Sequence, residues 1–252
     1  MASVITLPTI SPEEREARQQ LAACYRIFAM MGWDEMIFNH ITVKVPGEEG
    51  AFLINPYGLH FSEVTASSLV KIDIDGNKLD DSPYPVNKAG FVQHSLFHRH
   101  LDHAHAIIHT HTTATMAVCS SEGGLQPVNF YACNFIGQVG YHDFEGVTVR
   151  EEEGPRLLEA LGDKTMLLLK NHGPVVMGKS LPEAFIKYWA LQRACEIQLA
   201  TLSMGKAIQI PADVIAVHQR DLHMTQIPGG PGKAEFDAMV RRVDKIDTSW
   251  RD

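Results

Sequence analysis

The chain has 252 residues, 45% of them hydrophobic and 21% charged, with a formal net charge of −8. Such a chain can bury a substantial core as one α/β domain or two small ones. Its acidic balance, without a cluster of Lys and Arg, argues against a nucleic-acid partner. No apolar run approaches the roughly 18 residues a membrane span needs. Met1–Pro8 has neither the basic start nor the apolar stretch of a secretory leader, so a cytoplasmic protein without membrane contact is expected. Cys24, Cys119, Cys133 and Cys195 form no C-x-x-C pair and read as reduced, buried thiols.

Ser11-Pro12-Glu13-Glu14 is a capped helix start. Leu21, Cys24, Tyr25, Phe28 and Met31 then recur at helical spacing up to Gly32. Strands are expected over Phe38 to Val45 and Ala51 to Ile54, with a short capped helix from Ser62 and a third strand over Leu69 to Ile74. Asn87 to Arg99 carries an apolar stripe and leads into a strand from Ala104 to Thr110. A helix follows from about Thr113, while Pro127 to Gly146 resists assignment. Glu151 to Leu161 reads as a helix, Thr165 to Leu169 and Pro174 to Met177 as strands, and Leu181 opens the longest helix. Residues 1–210 are expected to form the domain, and 211–252 a surface arm or subunit contact. His94 and His98, one helical turn apart with His100, His103 and His105 nearby, read as a histidine-rich surface or interface.

Ile107-Ile108-His109-Thr110-His111-Thr112 carries the chemistry. Strand alternation turns His109 and His111 to one side, their Cα atoms roughly 6.6 Å apart, close enough to share an ion. A third imidazole, His172, stands where the strand ending at Leu169 runs into Lys170-Asn171-His172-Gly173-Pro174. Three histidines with coordination positions to spare describe a catalytic metal site, open to zinc, manganese, iron or cobalt. Buried histidines satisfied by backbone are the competing reading.

The ordered set Phe38-Asn39-His40-Ile41-Thr42, Asn55-Pro56-Tyr57-Gly58, Ser62 to Ile72, His109-Thr110-His111, Gly140 to Gly146, Lys170-Asn171-His172-Gly173 and Ala194 to Gln198 resembles the class II aldolase/adducin family, with the flavour of the adducin head domain and its bacterial relatives. The likeness spans about residues 14 to 205. It implies an α/β/α sandwich around a mostly antiparallel sheet, usually a homotetramer with active sites between subunits. It also implies a divalent ion, zinc first, on His109, His111 and His172. Asn39 and the Asn55 to Gly58 turn correspond to phosphate-handling segments, and His40 is a further candidate for substrate contact. The aldolases' Ser-Ser-Glu run, which binds phosphate and moves the proton, is here Lys88-Ala89-Gly90. Lys88 becomes the candidate clamp for a substrate anion, and Tyr131 or His142 the candidate proton donor. The expected function is a metal-dependent carbon–carbon lyase for a small hydroxy or keto acid, decarboxylation ahead of retro-aldol cleavage. An iron-dependent oxygenase on the same ligands and a noncatalytic adducin-like interaction domain are the alternatives.

Overall fold

In the computed structural model, which describes residues 10–147, 149–224 and 228–252, short strands join into one sheet. They are β1 (His40–Lys44), β2 (Ala51–Ile54), β3 (Val70–Asp73), β4 (Ala106–His109), β5 (Gly140–His142), β6 (Met166–Leu169) and β7 (Gly173–Gly178). Their order is β3-β2-β1-β4-β7-β6-β5. Every neighbouring pair is antiparallel except β5 with β6. The expected mostly antiparallel sheet is therefore present. The expected leader-free opening, Met1–Pro8, lies outside the described residues.

Helices cover both faces: α1 (Pro12–Met31), α2 (Lys88–His100), α3 (Thr113–Cys119), α4 (Gly154–Leu161), α5 (Leu181–Ser203), α6 (Ala212–Met224) and α7 (Lys233–Asp244). Alternation along the strands divides the core between them. Ile41, Val43, Ile108, Leu168 and Val176 pack with α1, α3, α5 and α7. Ile107, Leu167, Val175 and Met177 face the other way, against Phe97 of α2 and Leu157 and Leu161 of α4. The result is the expected α/β/α sandwich. Helix α1 starts as its sequence indicates, with the Ser11 hydroxyl accepting from Glu14 N–H and Gly32 closing the helix at φ 68°. The four cysteines are free and buried.

Two expectations are corrected. His94 and His98 are no surface patch: both are buried beneath the sheet, where Thr42 and His40 of β1 receive them. A helix-face histidine pair carries no sign of which way the face points, and here the helix turns it inward. The tail beyond Pro211, expected as a surface arm or subunit contact, does not stand free as an arm. It forms α6 and α7, and Phe236, Val243 and Trp250 enter the main core. Its apolar residues are too sparse to show strong periodicity, yet some meet a partner in the core, as Phe236 meets Phe185 edge-on at 5.5 Å. Among the described residues no helix is long and apolar enough to cross a membrane.

Because Phe236 fills core volume, Phe236→Ala should cost ~3–5 kcal/mol of stability in a denaturant titration. A change near zero would restore the tail to the role of a surface arm.

Candidate metal centre

His109 ends β4, and His111 lies two residues beyond it, where the chain turns toward α3. His172 comes from the turn joining β6 to β7, held there by Asn171 in the left-handed conformation at φ 57°. This turn lies so close to β4 that a Cβ on Gly173 would come within 2.5 Å of the Thr110 carbonyl oxygen. Glycine is thus required if His172 is to reach the other two. The three rings then meet with centroids 4.7 to 4.8 Å apart, and one ligand atom from each falls within 4.8 Å of the others.

Polar contacts behind two of the rings indicate which nitrogen each offers. His109 Nδ1 is 2.9 Å from the Pro174 carbonyl oxygen, which can only accept, so Nδ1 carries the proton. His111 Nδ1 lies 3.3 Å from a carboxylate oxygen of Glu35, whose charge favours the proton on that nitrogen. With the protons on Nδ1, both Nε2 atoms present lone pairs, and they stand 2.9 Å apart. Lone pairs this close repel unless a shared cation or proton lies between them. A tetrahedral zinc ion with Zn–N of about 2.0–2.1 Å wants its nitrogens about 3.3 Å apart, and the observed separations, from 2.9 Å up to 4.8 Å, bracket that value. The donor set therefore fits a divalent ion after shifts of the order of an ångström. A carbonyl or carboxylate behind a ligand histidine is the usual way a protein orients such a ring.

Electrostatics favour the same state. Burial, then His172 and His111, hold His109 well below the ordinary histidine range. Burial lowers His111 as well, and burial with His111 lowers His172 to about 4. All three are neutral near pH 7, the form that binds metal.

The centre opens into a cavity of about 450 Å³ that Phe38, Tyr57, Phe144 and Val147 help to line. Asn39 sits on its wall at φ 70°, buried, with neither amide atom partnered. Gln93 Nε2, on the same wall, is also buried without a partner. Unpaired buried amides are costly in an empty protein and are natural partners for ligand oxygens. His40 lines the cavity too, its ring stacked on His109 at 5.1 Å. A second cavity, of about 510 Å³, lies beside α5 and α6, away from the three histidines.

The other expected site residues fall elsewhere. Lys88 is exposed, although its neighbours Asn87 and Ala89 line the cavity. The Asn55 amide oxygen is held at 3.0 Å by the Tyr25 hydroxyl, and Gly58 lies on the turn at φ 106°. Tyr131 packs edge-on against Trp189. His142 is buried, with Nε2 3.2 Å from Glu153 and 3.6 Å from Glu145. Neither Tyr131 nor His142 is among the described residues lining the cavity. Glu35 and Gln93 escaped the sequence reading. Glu35 lies in an irregular turn, and Gln93 shares a helix with many polar residues, so neither carried a periodic signal.

The Class II Aldolase and Adducin N-terminal domain family matches residues 19–199. A Pseudomonas aeruginosa protein named for class 2 aldolases is 41% identical over 100% of both chains. Alpha-adducin of Rattus norvegicus is 38% identical over 92% of this chain and 34% of its own length. Among solved structures, an aldolase II superfamily protein from Pseudomonas syringae has a TM-score of 0.92 at 40% identity, covering 97% of this chain and 98% of that one. An L-fuculose 1-phosphate aldolase from Glaciozyma antarctica has a TM-score of 0.81 at 26% identity, covering 95% and 94%.

Metal analysis should find close to one divalent ion per chain, lost in His109→Ala and in His172→Ala. Glu35→Gln, which keeps the shape but removes the charge behind His111, should weaken ion affinity about 10–100-fold. Unchanged affinity in all three variants would rule this centre out.

Proposed function

Since the chain belongs to the class II aldolase and adducin family, we propose that it is a metal-dependent carbon–carbon lyase acting on a small hydroxy or keto acid. The observation that carries this reading is the convergence of His109, His111 and His172, with one ligand atom of each within 4.8 Å of the others, beside a cavity that all three line. A divalent ion there, zinc first and manganese, iron or cobalt next, would supply Lewis acidity toward a carbonyl or carboxylate oxygen. Asn39 and Gln93 offer amide groups to further oxygens of the acid, and Phe144 and Val147 add apolar surface to the cavity wall. Decarboxylation stands ahead of retro-aldol cleavage because position 90 is glycine. Loss of CO2 leaves an electron pair on carbon without prior removal of a C–H proton, so it makes no use of a base at that position. Lys88 is the nearest sequence candidate for the acid's remote anion, and a homotetramer that brings subunits together around the cavity is the assembly we propose.

A noncatalytic interaction domain is favoured by one observation, the 38% identity to alpha-adducin, of which this chain spans about a third. The two readings part in a turnover assay. Metal-loaded protein incubated with a panel of small hydroxy and keto acids should release CO2 or an aldehyde, with His109→Ala at least about 100-fold slower. Stoichiometric metal without turnover of any acid would favour the interaction domain, and oxygen uptake with Fe(II) would point to an oxygenase.

A further inference from the structure

A chain of hydrogen bonds runs from the backbone of one loop to the cavity wall. His98 Nδ1 is 2.7 Å from the Ala104 carbonyl oxygen. His98 Nε2 is 2.7 Å from Thr42 Oγ1, which is also 2.8 Å from His94 Nδ1. His94 Nε2 is 3.1 Å from His40 Nδ1. These groups are all buried, where β1 and α2 face each other.

The carbonyl at one end fixes every proton in the series. A carbonyl accepts, so His98 carries its proton on Nδ1, and its Nε2 must accept from the Thr42 hydroxyl. Thr42 has then spent its one proton and accepts from His94 Nδ1–H. His94 Nε2 in turn accepts from His40 Nδ1–H. Only His40 Nε2 is left without a proton, and among the described residues no hydrogen bond reaches it. This order holds for neutral rings, and burial keeps both His94 and His98 far below the ordinary range, with Lys44 near His98 acting in the same direction.

A second observation concerns the space around that ring. A Cβ built on Gly90 would lie 2.4 Å from His40 Cδ2 and 3.2 Å from Nε2. The imidazole of His40 thus fills the room that a side chain at position 90 would use, beside a cavity whose wall also holds the unpartnered amides of Asn39 and Gln93.

We propose that His40 Nε2 is a fixed lone-pair acceptor for a hydroxyl of the ligand held at His109, His111 and His172, with Thr42, His94 and His98 as positioning residues that set its tautomer. The inference rests on the metal-centre reading above and narrows its ligand class to acids that carry a hydroxyl facing His40, with any carbonyl that takes up the electron pair turned elsewhere. A keto oxygen facing Nε2 would set acceptor against acceptor, whereas a hydroxyl donates to it.

The test uses the full chain loaded with zinc and two matched probes, glycolate and methoxyacetate, which differ in whether the second oxygen bears a hydrogen. Calorimetry should show glycolate bound about 10-fold more tightly by the wild type. Thr42→Val should abolish that preference while retaining zinc, and Thr42→Ser should keep it. Nitrogen-15 spectra of histidine-labelled protein, with and without zinc, should show His40 Nε2 unprotonated in the wild type and a mixture of tautomers in Thr42→Val. Equal binding of the two probes, no binding of glycolate, or a proton on His40 Nε2 overturns the proposal. If Thr42→Val does not fold, the wild-type spectrum and probe ratio still decide it. Failure to take up zinc would sink the metal-centre reading itself, whereas zinc uptake with equal probe binding sinks only this one.

Discussion

The register between β1 and β4 is the constraint on which the site depends. It sets His40 directly opposite His109 and Thr42 opposite Ile107. Facing residues of antiparallel strands share a side of the sheet, so the metal-facing histidine and the cavity histidine become stacked neighbours. A slip of one residue would carry His40 and Thr42 into the apolar layer beneath α1 and α5 and bring Ile41 and Val43 toward α2. The hydrophobic alternation of β1 therefore holds the polar residues in place as firmly as it holds the core. The Tyr25 hydroxyl adds to this by bonding both the backbone N–H and the carbonyl of Ile41.

The α2 side of the sheet is unusual in burying a polar layer inside an apolar one. Thr42, His94 and His98 sit between β1 and a helix, with Phe52 of β2 against the His98 ring at 4.9 Å. A buried network is tolerable when each donor meets an acceptor, and strongly unfavourable when one is missed. Here the chain of bonds is complete from the Ala104 carbonyl to the cavity. The exceptions, Asn39 and Gln93, lie at the cavity itself, where a ligand can complete them. Satisfied groups thus form the support, and two of the unsatisfied ones, Asn39 and Gln93, line the place where binding is expected.

Much of this was legible beforehand. His109, His111 and His172 were visible because strand alternation and a strand-to-turn junction leave plain marks in a sequence, and the ordered motifs identified the family and sandwich. Other parts depend on orientation that no local pattern records. The His94 and His98 pair lies beside the apolar stripe of its helix, and that stripe alone does not tell whether the two rings turn inward or outward until the sheet is in place. Glu35 reaches His111 from a turn distant in sequence. Phe236 and Trp250 read as isolated apolar residues in a polar tail, and only the groove between α1 and α5 gives them meaning.

The crowding between His40 and position 90 also bears on how such a site can change over time. With the ring of His40 in place, the 2.4 Å approach leaves no room for even a methyl group at position 90. A glutamate could return there only after residue 40 had shrunk or turned aside, and shrinking residue 40 first would strand the His94 nitrogen that it satisfies. The two positions are therefore epistatic: each change is harmful on the background of the other's present residue. A lineage holding this pair is kept from the glutamate arrangement by a valley two substitutions wide, and relatives should fall into two separate groups at these positions with few intermediates.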